Sequence, residues 1–102
     1  MIKHIVLWKL KDEAHGNNKQ TNAMMIKEML ESLRGKIEGL ISIEVGIDLL
    51  RSEESADVAL YSIFENQKAL DHYQTHPEHK KMLPFIADAR YERRVIDYEI
   101  GC

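Results

Sequence analysis

Residues 2–11 read IKHIVLWKLK, and no other stretch limits the possible folds as strongly. As a strand it alternates with period two. Ile2, His4, Val6, Trp8 and Leu10 point one way, and Lys3, Ile5, Leu7, Lys9 and Lys11 the other. Apolar side chains sit in the middle of both faces. A single layer of helices covers only one face of a sheet, so Ile5 and Leu7 need a second cover. Full burial of each such side chain is worth roughly 1.5–3 kcal/mol, and a contiguous exposed patch is unusual on a monomer. The pattern therefore predicts two copies packed sheet against sheet about a two-fold axis.

The remaining elements follow from periodicity and punctuation. DEAHGNNKQTN is a polar connection with turn and helix-start residues. A helix is predicted over about Lys19 to Leu33. Its stripe is Ala23, Ile26, Leu30, Leu33 and Ile37, and Gly35 and Gly39 bracket its end. Residues 40–50, LISIEVGIDLL, form a second strand with Ile41, Ile43, Val45, Ile47 and Leu49 on one face. VALYSIFE, residues 58–65, is a third strand. Asn66 caps a helix that ends at the His76–Pro77 step, because a residue before proline is pushed out of the helical region. Pro77 opens a new segment whose inward face is Met82, Phe85, Ile86 and Ala89, and Pro84 restarts it. RRVIDYEI, residues 93–100, is the fourth strand. Strand, helix, strand, strand, helix pair and strand make an α+β sandwich: a ferredoxin-like four-stranded antiparallel sheet with helices on one face.

With 102 residues the chain has the size of one domain, taken as residues 1–102. A net charge of −3 and no basic run give no electrostatic footprint for nucleic acid. The lone cysteine, Cys102, makes neither an internal disulfide nor a zinc site. The N-terminal apolar stretch is too short and too often interrupted by lysine for a signal peptide or a membrane span, so cytoplasm is the expected location.

IKHIVLWKLKD, GKIEGLISIEVGIDL, YQTHPEH and RVIDYE, in this order, resemble the stress-responsive dimeric A/B barrel (Dabb) domains across nearly the whole chain. Glu38 departs from the proline that family often has at that turn. The resemblance implies a ferredoxin-like protomer and a homodimer whose sheets face each other as an α/β barrel. Most members have no assigned reaction; a plant branch acts as polyketide cyclases, and related barrels include cofactor-independent monooxygenases and haem-degrading enzymes. The cyclases' polar groups match Tyr73 and His79, with His4 in the same pocket.

Three roles are therefore open: a small-molecule-binding or stress-associated homodimer, a cofactor-independent enzyme on a carbonyl or polyketide-like substrate, and a purely structural dimer. In the enzyme, His79 is the base and Tyr73 the hydrogen-bond donor, and His4, Val6, Trp8, His76 and Phe85 line the ligand site. His79 falls near the third position of the segment opened by Pro77, where positive potential favours a neutral imidazole able to accept a proton. Such a set needs neither metal nor cofactor. His76 also reads as a turn or capping residue, Tyr73 as a core tyrosine, and His15 as solvated. Met24, Met25 and Met29 line either the core or a cavity. His72 and His76 have the spacing of helical metal ligands, but the proline bend and the lack of an acidic partner argue against a metal centre.

Overall fold

A computed structural model describes residues 1–101. Strand β1 (Ile2–Leu10) buries all five residues of one face, Ile2, His4, Val6, Trp8 and Leu10. It pairs on one side with β5 (Val58–Phe64) and on the other with β6 (Arg90–Glu99), while β4 (Leu40–Ile47) extends the sheet beyond β5. The order is β4-β5-β1-β6, with every pairing antiparallel. This is the ferredoxin-like arrangement expected from the sequence.

Helix α1 (Lys19–Glu31) starts where the Asn18 side chain accepts a hydrogen bond from the Thr21 N–H at 2.8 Å. Its stripe, Ala23, Ile26 and Leu30, joins Leu33, Ile37, Ile43, Val45, Leu60 and Phe64 in one buried cluster. Glu31 ties the helix to the edge strand by accepting from the Val45 N–H at 3.0 Å, while Lys27 donates to the Val45 carbonyl at 2.7 Å. Met24 and Met25 are exposed, so of the three methionines only Met29 packs on the core.

After β5, the Asn66 side chain caps α2 (Gln67–Thr75) through the Ala69 N–H. His76 is extended, with ψ at 133°, and Pro77 opens the short α3 (Pro77–Lys80). Pro84 lies in the first turn of α4 (Leu83–Ala89), where a proline ring is tolerated, so the segment restarts as the sequence predicts. Among the described residues no helix is long and apolar enough to cross a membrane.

Local details depart from expectation. The polar connection contains a small ribbon, β2 (Glu13–Ala14) against β3 (Asn17–Asn18), turned by His15 and Gly16 at φ 57° and 73°. Two positive φ values in succession are the signature of a tight hairpin turn. Ile41 does not share the buried face with Ile43 and Val45. The register shifts between Leu40 and Ser42, and Ile41 is 50% exposed. Leu49 lies past the strand end and is 92% exposed. Strand β6 begins at Arg90, three residues before its predicted start.

The far face of the sheet carries the second half of the β1 pattern. Ile5 sits between Tyr61 and Ile96, Leu7 between Ala59 and Arg94, and Lys3 between Ile63 and Tyr98. Leu7, Ile96 and Tyr98 remain exposed there. Lys3 holds its ammonium 5.4 Å from the centre of the Tyr61 ring.

Candidate functional site

A cavity of about 330 Å³ opens between the helices and the β1–β6 half of the sheet. Its floor is His4, Val6 and Trp8, which alternation on β1 sends inward. Leu30, Leu60 and Ile86 supply apolar wall. The polar lining is Tyr73 and Gln74 from α2, His79 from α3, and Arg90 and Arg93 from β6.

The proline break assembles the polar corner. Because the chain leaves the helical region at His76 and re-enters at Pro77, His79 folds back onto Tyr73, and their rings stack with centroids 4.1 Å apart at 27°. Tyr73 also packs on Phe64 at 5.0 Å and meets His4 edge-on at 6.1 Å. Two buried polar atoms in this corner, Tyr73 Oη and His79 Nδ1, have no hydrogen-bond partner among the described residues. A neutral group left so costs roughly 1–3 kcal/mol.

Electrostatics sharpen their roles. Burial pushes the Tyr73 phenol well above the ordinary tyrosine range, opposed by the charge of Arg93, so Tyr73 stays a donor. Burial also holds His79 below the usual histidine value; backbone groups of Gln74 and Tyr73 oppose this, and His4 and Arg93 reinforce it. The His79 ring is therefore neutral near pH 7, with a nitrogen able to take a proton. His4 turns Nδ1 to the carboxylate of Asp97, its cross-strand neighbour, which leaves Nε2 as the nitrogen without that partner. A donor, an acceptor and an oriented imidazole around an apolar floor suit a ligand that carries an oxygen beside an acidic C–H.

Of the residues expected at the site, His4, Val6, Trp8, Tyr73 and His79 line this one cavity. Two expectations need correction. His76 does not line it: its Nδ1 accepts the Glu78 N–H at 3.1 Å and caps α3. Phe85 does not line it either, because its ring stacks on His15 at 4.2 Å and 8°, and the His15 Nε2–H donates to the Phe85 carbonyl at 3.0 Å. His15 is thus exposed yet engaged. His72 and His76 meet edge-on at 5.4 Å, and among the described residues no cluster of three His, Cys, Asp or Glu side chains is arranged to hold a metal.

The family described as the stress responsive A/B barrel domain, Dabb, matches residues 2–100. The chain belongs to that family. Its fold is close to that of a dimeric protein of unknown function with a ferredoxin-like fold from Bacteroides fragilis. That match has 37% identity, covers 97% of this chain and 95% of the other, and has a TM-score of 0.84. A hydroxynitrile lyase from Passiflora edulis matches at 17% identity over 98% and 92% of the two chains, with a TM-score of 0.81. An antibiotic biosynthesis monooxygenase matches at 15% identity over 100% of each chain, with a TM-score of 0.76. These two likenesses are of fold. No functionally curated protein matches the sequence significantly.

Within this Dabb domain, sequence reasoning missed Asp97, Gln74, Arg90 and Arg93. Asp97 stood inside the RVIDYE stretch, but only strand register reveals that it faces His4.

Proposed function

We propose that the protein is a homodimer in which each protomer binds a small, largely apolar carbonyl compound and moves a proton beside its carbonyl group. One observation carries the reading: Tyr73 and His79 line one cavity with an apolar floor, and each holds a buried polar atom, Tyr73 Oη and His79 Nδ1, without a partner among the described residues. Tyr73 donates to the carbonyl oxygen. His79 takes a proton from the adjacent carbon, and the C–H electron pair moves into an enolate whose oxygen Tyr73 holds. Return of a proton to that carbon completes exchange, and attack of the enolate on a second carbonyl is the aldol form. A hydroxynitrile lyase and a monooxygenase of the same fold support small-molecule chemistry in such a cavity.

The dimer is supported by the open row Ile5, Tyr61 and Ile96 and by the dimeric relative from Bacteroides fragilis. A cavity of about 330 Å³ favours a bound ligand over a purely structural dimer.

Acetophenone in D₂O provides the test. Wild-type protein should raise its own melting temperature with the ketone and accelerate loss of the methyl proton signal. His79→Ala should abolish that exchange while keeping its circular dichroism spectrum. An unaccelerated ketone, or full activity in His79→Ala, would overturn the assignment.

A further inference from the structure

Two arginines, Arg90 and Arg93, line the cavity, and nothing in the reading above uses them. Arg90 and Arg93 are three residues apart, a spacing that sends side chains to opposite faces of a regular strand. Here the β6 register shifts: Trp8 pairs with Arg93, Lys9 with Glu92, and Leu10 with Arg90, so Tyr91 is an extra residue. A bulge of this kind re-aims side chains, and its effect is to bring both arginines into register with buried, helix-facing residues of β1. Both then border the same cavity as Tyr73 and His79.

The charge is uncompensated. The ion pairs among the described residues join His4 to Asp97, Lys19 to Asp12 and Asp57, Lys27 to Glu31, Lys81 to Glu78, and Arg94 to Glu92. Neither Arg90 nor Arg93 takes part, and no aspartate or glutamate lines the cavity. Planar guanidinium groups match carboxylates two bonds at a time, and such charge-assisted bonds are stronger than neutral ones.

We propose that the ligand is an acid: a carbonyl compound whose apolar body lies on Val6 and Trp8 and whose carboxylate is held by Arg90 and Arg93. This rests on the carbonyl-binding reading above and narrows it to one substrate class. Arg93 is also close enough for its charge to lower the pKa of both Tyr73 and His79, which puts the anion-binding end beside that pair.

The test compares 4-oxo-4-phenylbutanoate with its primary amide, two ketones of one shape that differ by one charge, by isothermal titration into the full-length protein. The acid should bind about 10- to 100-fold tighter than the amide, the range expected of charge-assisted hydrogen bonds. In the Arg90→Gln/Arg93→Gln double variant that ratio should fall below about threefold. Circular dichroism and melting temperature confirm that the variant folds. Equal binding of acid and amide by wild type would overturn the acid preference and leave the carbonyl reading standing, since the amide keeps the ketone. A preference that survives in the double variant would overturn the assignment to these arginines. Binding of neither compound would refute the cavity reading and the acid preference together.

Discussion

Replacing Tyr73 with phenylalanine should stabilise the protein while it weakens ligand binding. The phenol oxygen is buried and has no partner among the described residues, and the whole side chain is 1% exposed. A buried neutral hydroxyl without a partner costs about 1–3 kcal/mol. Against this, deletion of one oxygen forfeits a few dispersion contacts, each on the order of 0.1–0.2 kcal/mol. The ring stays, and with it the packing on Phe64 at 5.0 Å and on His79 at 4.1 Å. The balance favours Tyr73→Phe by about 1–2 kcal/mol, and each kcal/mol raises Tm by roughly 4–8 °C in a domain of this size. Urea unfolding at one fixed protomer concentration measures it, because self-association makes stability concentration-dependent. The variant should also lose affinity for acetophenone by about 2- to 12-fold, the worth of one neutral hydrogen bond. A Tyr73→Phe protein less stable than wild type by more than about 0.5 kcal/mol would mean that the hydroxyl is satisfied in the free protein. The claim that it waits for a ligand oxygen would then fall.

Three further outcomes are expected. Gly39 has φ +85°, and an added Cβ would meet the Ala69 Cβ at 2.4 Å, whereas Gly35 at φ +79° has open space around it. Gly39→Ala should therefore cost about 2–4 kcal/mol and Gly35→Ala distinctly less; equal losses in urea unfolding would refute the clash. His79 is depressed below its unfolded-state value by burial, so the unfolded chain binds the extra proton first. Its contribution to stability is present above about pH 6.5 and is lost as pH falls through the lower folded-state value. Unfolding of wild type and His79→Gln from pH 4.5 to 7.5 should show a steeper acid loss in wild type, and parallel curves would refute it. Ile5→Glu puts a charge at the centre of the open sheet face and should shift sedimentation at micromolar concentration from dimer to monomer; an unchanged dimer would move the interface elsewhere.

What could be read in the sequence depended on local rules. Alternation alone sends His4, Val6 and Trp8 to one face, and a proline step alone breaks the helix between Tyr73 and His79. Both rules act within a few residues, and both hold in the structure. Phe85 failed because an inward periodicity names a helix face without naming its neighbour; the neighbour proved to be His15, on a hairpin that two residues at positive φ build. Ile41 and Arg90 failed for a shared reason. Each lies beside a register shift, and one extra residue reverses the phase that alternation assumes. Asp97 meets His4 across 93 residues of chain, a contact fixed by pairing alone.

The cavity itself follows from how the helical layer is cut. One uninterrupted helix from Gln67 to Ala89 would run about 35 Å at 1.5 Å per residue, close to the 39 Å length of the whole protein. It could turn only a single stripe toward the sheet. Instead His76 and Pro77 end α2, and Pro84 restarts α4, so the layer is cut into three short pieces. Leu70, Tyr73, Met82, Ile86 and Ala89 still bury apolar surface, which holds the pieces down. Between them the polar side chains of Tyr73, Gln74 and His79 face the gap that continuous packing would have closed. The unpaired Tyr73 and His79 atoms lower stability, and the buried core that α1, β4 and β5 share offsets that loss. Tyr73→Phe should therefore gain stability at the point where binding is lost.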